Sequence, residues 1–584
     1  MHHYFLYFFL FVLSFYGAEI KGLENGLIYT NELMVFFSLC FLIITFVEYL
    51  KNRSARDGPG KSEIFLFLFL IWSAATFFFS VNSDLSLFPA MKTLGGIAFG
   101  LGLFLYLKES SCLNKIWLIS FIFAGIHATS GIIQKFFPLF SSEFSHPFLN
   151  AQSIFNSSNF YSCFLIIHIP IGLYLFFAEK RDFTKMLIGL SWICILVALG
   201  FSNSLAAQLI AGMQLFALVI YYGILKNVKI IKLTSWAVMG AIIIYLGLYK
   251  FIGNIEQVSH ITSIKPPLPT PVQPSVSWYD EHVLPRIVYA WGGWKIFTEH
   301  WLAGSGLWTY RDLYPFTGLL EAYPNTKFIV REPQHAHSFY FQTAGETGII
   351  GLILIGGNIF YLFLKNIKTL VRERAKKLDF QFILLVSISG FLIHNIGEYN
   401  WLYSNFIYYY IFLIVSIGFL ERENVFQDPK VSTPIRKPVF IPIMLVSIMV
   451  IGWSTIYYIN YNEILLKKTL ASKSYIEMEK VLTQAKNICE RCGMPHYLLG
   501  IAHIEEAKKI TRLRNVELVN KAEREFSEVL VRNPYSSRVY LAHGDVSRLL
   551  QRKKKALQSY QMAMRDLKYK EIAFKRIEDL RMAE

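Results

Sequence analysis

The sequence predicts an all-α polytopic membrane protein with about 12–13 transmembrane helices, a large outer loop and a C-terminal helical-repeat domain. Three observations carry that prediction. Of 584 residues, 54% are hydrophobic and only 17% charged, at a mean hydropathy of +0.39; a soluble domain carries more charge. The apolar residues gather into runs of roughly 17–25, the length a helix needs to cross a hydrocarbon layer. Basic residues fall almost wholly in alternate loops, as the positive-inside rule requires.

From the N-terminus, thirteen runs qualify, at residues 3–18, 31–49, 63–80, 90–107, 114–133, 159–178, 185–200, 203–223, 233–250, 345–364, 379–395, 402–420 and 438–458. The first run, HHYFLYFFLFVLSFYG, lacks a basic leader and a small-residue cleavage motif, and reads as a retained span. With the N-terminus cytoplasmic, the inside loops hold 22 basic residues, against Lys21, Lys92 and Lys135 in the short outside loops. Anchoring charge therefore accounts for much of the formal +16, and no nucleic-acid partner is needed to explain it. The chain divides into N-terminal membrane helices (1–250), an outer loop (251–344), C-terminal membrane helices (345–458) and a tail on the outer side (459–584).

The loop opens with IKPPLPTPVQPSVSWYD, an extended spacer too rich in proline for a regular helix. Arg286, Trp291, Trp294, Phe297 and Trp301 then recur at spacings of three to five, as in an amphipathic helix lying on a membrane surface. Gly304-Ser305-Gly306 permits a tight turn. In the tail, Ala522, Phe526 and Leu530 return as Ala556, Tyr560 and Met564, each 34 residues on. That is the period of tetratricopeptide repeats, which bind a protein partner or pack on the parent chain. Cys489 and Cys492 form a lone CERC, open between a local disulfide, inert thiols and half a metal site.

Residues 335–348, HAHSFYFQTAGETG, lead into the tenth span. His335 and His337 stand two apart, so they cannot share a helix face; no Cys or Asp joins them, and no metal is expected. A helix beginning near Ser338 places His337 at its N-terminus, where unpaired amides and the dipole favour an anion. Gly345, Gly348 and Gly351 let another helix or a ligand come close, and Glu346 reads as a helix-edge residue. Further polar residues collect at outer span edges: Gln152, Asn156, Asn159, Asn203, Gln208, Arg286, Arg311, Arg331, His394, Glu398 and Asn400. Polar groups on one side of many spans point to a cavity open on that side. The spans otherwise read as clean, which argues against a transporter with mid-span ionisable residues or broken helices. A membrane-anchored scaffold explains the repeat but not the loop motif.

Arg286-x-x-x-x-Trp291, then WLAGSGL (301–307), then HAHSFYFQTAGETG resembles, in that order, the bacterial O-antigen ligase/polymerase superfamily, over about residues 1–425. SIFNSSNFYSCFL (153–165) is similar to that family's entry to a middle span. The resemblance implies a metal-independent, cofactor-free, inverting glycosyltransferase of the bacterial inner membrane. It would move a glycan from undecaprenyl diphosphate to a hydroxyl acceptor, lipid A core first, at the periplasmic face, with the tail also periplasmic. Chain polymerisation and transfer to protein hydroxyls are the alternatives. The family's loop histidine maps onto His337, followed here by Ser338 rather than Asn, and its loop arginine onto Arg286. A second family arginine falls at Asn203, so either Arg331, or else Arg311, replaces it at the diphosphate, or the donor is held differently, or the activity is altered. His335, Asn159, Asn203 and His394 complete the implied substrate-binding set.

Overall fold

The computed structural model describes residues 2–16, 27–52, 59–107, 110–136, 153, 155, 157–225, 283–322, 333–373, 379–402, 404–425, 437–472, 474–509 and 512–582. Among them every regular element is helical. The membrane-type helices are α1 (His2–Tyr16), α2 (Leu27–Asn52), α3 (Lys61–Ala75), α4 (Ser83–Tyr106), α5 (Ser110–Phe136), α6 (Ser158–Ala178), α7 (Asp182–Phe201) and α8 (Leu205–Leu225). After the loop helix α9 (Leu284–Glu299) come α10 (Phe339–Glu373), α11 (Asp379–His394), α12 (Ser404–Val425) and α13 (Lys437–Asn462). The tail adds α14 (Tyr475–Ile488), α15 (Met494–Lys509), α16 (Arg512–Arg532), α17 (Ser537–Leu549), α18 (Lys553–Ala563) and α19 (Leu567–Met582).

Nine helices among the described residues are long and apolar enough to cross a membrane, and Leu205–Tyr221 and Phe380–His394 are shorter apolar helices. The protein is an all-α polytopic membrane protein. Two expected spans stand differently: α1 has only 15 residues, and 233–250 lies outside the described residues. The fourth helix begins at Ser83, not 90, because it runs straight through Pro89. Lys92 is therefore a buried helix residue, 3% exposed, and reports nothing about loop sidedness.

The chain forms two compact units, one of residues 1–66, 98–277 and 356–444, the other of 67–97, 278–355 and 445–584. In the first, α5, α6 and α7 pack on one another, and α6 packs on α11. Trp117 of α5 stacks on Phe412 of α12 at 3.9 Å, and a Cβ on Gly172 of α6 would lie 2.2 Å from the Phe121 ring. Close approach of this kind organises helices in lipid, where interhelical hydrogen bonds average only about 0.6 kcal/mol. One such network lies mid-span. The fully buried His168 bonds through Nε2 to Ser120 Oγ (3.0 Å), which also meets the Tyr409 hydroxyl (3.1 Å). Its Nδ1 contacts the Phe164 carbonyl (2.8 Å), so this intramembrane histidine is fully bonded, and the expectation of clean spans fails at α6.

In the second unit, the tail docks onto the start of α4. Asp84 accepts hydrogen bonds from the amides of Gly493 (2.6 Å) and Met494 (2.8 Å), and from the Tyr461 hydroxyl (3.0 Å). A side chain about four hundred residues upstream thus caps α15, satisfying the amides of Gly493 and Met494 at its start. Within the tail, Phe526 lies against Gly500, and Tyr560 against Gly544. Cys489 and Cys492 are disulfide-bonded between α14 and α15.

Candidate active site

Local sequence fixes the α9 surface. Pro285 opens the helix, and Val288, Tyr289, Gly292, Gly293 and Ile296 form its buried face. Trp291 and Trp294 stand 52% and 39% exposed on the opposite face, as the amphipathic pattern requires. Trp301 lies beyond the helix end at Glu299. The buried face packs with Tyr310, Leu313, Tyr314, Leu319 and Ala336, giving the loop its own small core.

The α10 helix starts at Phe339, one residue past the expected Ser338, and is not continuous. Gly348 adopts φ 67° and ψ −166°, a combination essentially confined to glycine. The break frees backbone groups, and other segments satisfy them. Ser305 N–H donates to the Gly345 carbonyl (2.9 Å), Gly306 N–H to the Glu346 carbonyl (3.1 Å), and the Trp72 indole to the Thr347 carbonyl (2.8 Å). In return Ile349 N–H donates to the Trp301 carbonyl (2.8 Å). Interrupted backbone at such a place persists only where it is satisfied in this way. Gly304, at φ 81°, makes the approach possible, since a Cβ there would lie 2.2 Å from the Glu346 carbonyl oxygen. The groups that come close to the glycines of HAHSFYFQTAGETG are therefore the chain's own loop residues.

His337 sits in the turn just before α10 with φ 47°, a left-handed backbone uncommon outside glycine. Its ring stacks on Tyr289 at 5.3 Å, and the His335 ring is 4.2 Å away. Both histidines precede α10, so the helical spacing that would separate them does not apply, and the turn brings their rings together at a tilt of 49°. His337 N–H donates to His335 Nδ1 (3.3 Å). The amide between them, on Ala336, donates to Gln342 Oε1 (2.6 Å), and Gln342 Nε2 donates to Glu346 Oε1 (2.6 Å). Glu346 Oε1 also accepts from the Tyr310 amide (3.3 Å), and the Tyr310 hydroxyl donates to the Tyr289 carbonyl (2.8 Å). Burial raises the Tyr310 pKa well above its usual 10, so this phenol remains a donor. A circuit from Tyr289 through Tyr310, Glu346, Gln342 and Ala336 thus holds the backbone of the turn, and the His337 imidazole packs on the Tyr289 ring. Glu346 is 2% exposed and Gln342 1% exposed, so Glu346 is a buried bridge and not a helix-edge residue.

Arg286 lies on α9 three residues before Tyr289, one turn away along the same side of the helix. Arg311 is exposed, its Nε 3.6 Å from Asp312, and it lines a cavity shared with the tail helices. Arg331 lies outside the described residues, as do Gln152 and Asn156.

In the other unit, Asn159 stands at the start of α6, just after its cap Ser157. Its Nδ2 donates to Glu398 (2.7 Å), and its Oδ1 accepts from the Ser204 hydroxyl (2.8 Å). Asn203, beside Ser204, has φ 56° in the turn joining α7 to α8. Asparagine is among the few residues that tolerate this conformation, which gives a local reason for its presence where arginine was expected. His394 is buried, and its Nδ1 lies 3.0 Å from Asn400 Nδ2. Sequence reasoning missed Gln342, Tyr289 and Tyr310 altogether. The signal for one of them was present: Gln342 and Glu346 stand i, i+4 behind a histidine turn.

Residues 190–356 match the family model described as O-antigen ligase. No curated protein sequence matches the chain. The matched stretch contains Asn203, Arg286, Arg311, His335, His337, Gln342 and Glu346, so it spans the loop circuit completely. Over residues 190–356 the chain is thus similar to the O-antigen ligase family.

Proposed function

We propose that the protein is a glycosyltransferase that moves a glycan from undecaprenyl diphosphate to a hydroxyl acceptor, lipid A core in the first instance. The observation that carries this reading is the circuit that holds His337 in a left-handed turn on the Tyr289 ring, one helical turn from Arg286. An imidazole over-determined by its surroundings is the arrangement expected of a group that must meet a hydroxyl in one orientation. In the reaction, the acceptor oxygen attacks the anomeric carbon while the carbon–oxygen bond to the diphosphate breaks, so the configuration inverts. His337 takes the hydroxyl proton on a ring nitrogen, as a positioned imidazole can. Arg286 meets the charge that develops on the departing diphosphate. The scheme uses no cofactor and no metal step. The site would face the periplasm from the inner membrane, with the N-terminus cytoplasmic and the tail periplasmic.

The acceptor is tested by gene deletion followed by lipopolysaccharide banding. Accumulation of unligated carrier-linked glycan is the expected result. Cores capped with single repeats would instead make the protein a polymerase, and an unchanged profile would remove lipopolysaccharide as the product. Complementation with His337→Ala ties the phenotype to the site: restoration of the wild-type profile would sink the assignment.

A further inference from the structure

Cys489 and Cys492 are bonded across the turn between α14 and α15, and both are buried, at 2% and 0% exposure. A bridge between cysteines only three apart closes too short a loop to restrict the unfolded chain by much. Its main effect is local, on the turn itself. Cys489 ends α14, its N–H donating to the Ala485 carbonyl (3.0 Å), and Cys492 N–H donates to the Cys489 carbonyl (3.1 Å). Residues within and just after the bridge then hold the tail to Phe78 and the start of α4. The Arg491 guanidinium donates to the Phe78 carbonyl, and the Gly493 and Met494 amides donate to Asp84 Oδ2. Gly493 is close-packed there, since a Cβ on it would lie 3.2 Å from Val529 and 3.4 Å from Asp84. Behind the turn, the Glu490 carbonyl accepts from Arg532 Nε (2.8 Å), which ties it to the end of α16.

Arg491, Gly493 and Met494 must bring their donors together on the Phe78 carbonyl and the Asp84 carboxylate. An open turn loses conformational freedom in doing so, whereas a bridged turn has lost it beforehand. We propose that Cys489 and Cys492 are a thiol–disulfide exchange site whose oxidation docks the tail on the start of α4. The oxidant is a disulfide on a second molecule. One cysteine thiolate attacks it, a mixed disulfide forms, and one sulfur of the oxidant leaves as a thiolate. The second cysteine, as thiolate, attacks the sulfur of the first, which closes the bridge and expels the oxidant's other sulfur. Two electrons pass to the oxidant, and the two cysteine protons end on its thiolates, so it departs as a dithiol. Both sulfurs are buried in the docked tail, so the exchange precedes docking. It requires an oxidising compartment, in keeping with a tail on the outer side. Linkage makes the effect reciprocal: if the bridge favours docking, docking protects the bridge from reduction.

The test uses the full-length protein in nanodiscs. Alkylation under denaturing conditions without reductant should leave Cys489 and Cys492 unlabelled; two labelled thiols there overturn the proposal. Amide exchange read by mass spectrometry then compares the wild type with the double variant Cys489→Ser/Cys492→Ser. Exchange should rise about tenfold or more at residues 490–497 and in the first turn of α4, while α17 and α18 keep wild-type protection. Unchanged protection at 490–497 overturns the proposal. So does a loss spread evenly over α14 to α19, which would make the bridge a staple of the whole tail. Asp84→Asn keeps both cysteines and tests the linkage from the other side, whether or not the cysteine variant accumulates. Its bridge should be reduced at a dithiothreitol concentration about tenfold or more below that needed for the wild type, and equal susceptibility in the two proteins overturns the proposal.

Discussion

Replacing Gln342 with leucine tests whether the buried circuit positions His337. Leucine nearly preserves the volume but removes both hydrogen bonds at once. The Ala336 amide loses a 2.6 Å acceptor in a fully buried position, and Glu346 loses a 2.6 Å donor. A buried donor left unsatisfied costs about 1–3 kcal/mol, and a typical hydrogen bond contributes about 0.5–1.5. The turn is expected to relax to recover part of this, moving the imidazole off the Tyr289 ring. If about 1.4–2.8 kcal/mol of that loss reaches the transition state, turnover falls roughly 10–100-fold. The assay is glycan transfer from lipid-linked donor in proteoliposomes, with kcat and KM resolved and thermal stability measured alongside. The expected pattern is a lower kcat, a nearly unchanged KM for donor, and a melting temperature lower by a few degrees. A lower melting temperature with wild-type kcat would refute the positioning argument, because it would leave the circuit with a purely structural role.

Three further outcomes are expected. Gly304→Ala and Gly348→Ala should each impair folding or membrane accumulation. Both put a Cβ within 2.5 Å of a carbonyl oxygen at a positive φ, and left-handed strain alone costs roughly 1–2 kcal/mol; accumulation at wild-type levels would contradict the broken-helix account. The tail should lose stability on acidification below neutrality. Burial, aided by Lys555, lowers the His543 pKa beneath its usual 6.5, and the ring bonds Ser559 (2.8 Å) and Ser527 (3.2 Å). The unfolded chain then binds a proton that the folded chain refuses, so this stability is present above about pH 6.5 and is lost as pH falls, by at most about 1.4 kcal/mol per unit. His543→Gln should flatten the melting profile between pH 7.5 and 5, and an unchanged slope would show that other groups set it. Asp84→Ala should loosen the tail selectively, by about 1–2 kcal/mol for the lost cap, read as faster amide exchange in the first turn of α15; protected amides there would contradict the docking role.

The hydropathy of the chain was enough to read the class of fold, because lipid admits few solutions for a long apolar run. It was not enough to place helix ends. Pro89 looks like a boundary but is carried inside α4, and Gly348 looks like an ordinary small residue yet breaks α10. The loop helix α9 was legible from its aromatic spacing, and His337 and Arg286 from the order of motifs. What stayed hidden depends on long-range contact. Glu346 seems peripheral until the Tyr310 amide and Gln342 are seen to converge on it, and Asp84 shows no link to α15 across about four hundred residues. The docking of the tail on α4 and Asp312 left no trace in the sequence. Asn203 is the instructive case: a missing arginine in the family pattern is, locally, a residue suited to a left-handed turn.

The most direct measurement of the central claim is single-turnover glycan transfer by purified His337→Ala and Arg286→Ala proteins in proteoliposomes supplied with lipid-linked donor and acceptor. General-base and charge-stabilising groups each contribute about 10²–10⁴-fold. The account predicts a loss of at least about a hundredfold in each variant, with donor still bound by His337→Ala and bound more weakly by Arg286→Ala. Wild-type transfer rates in both proteins would contradict it.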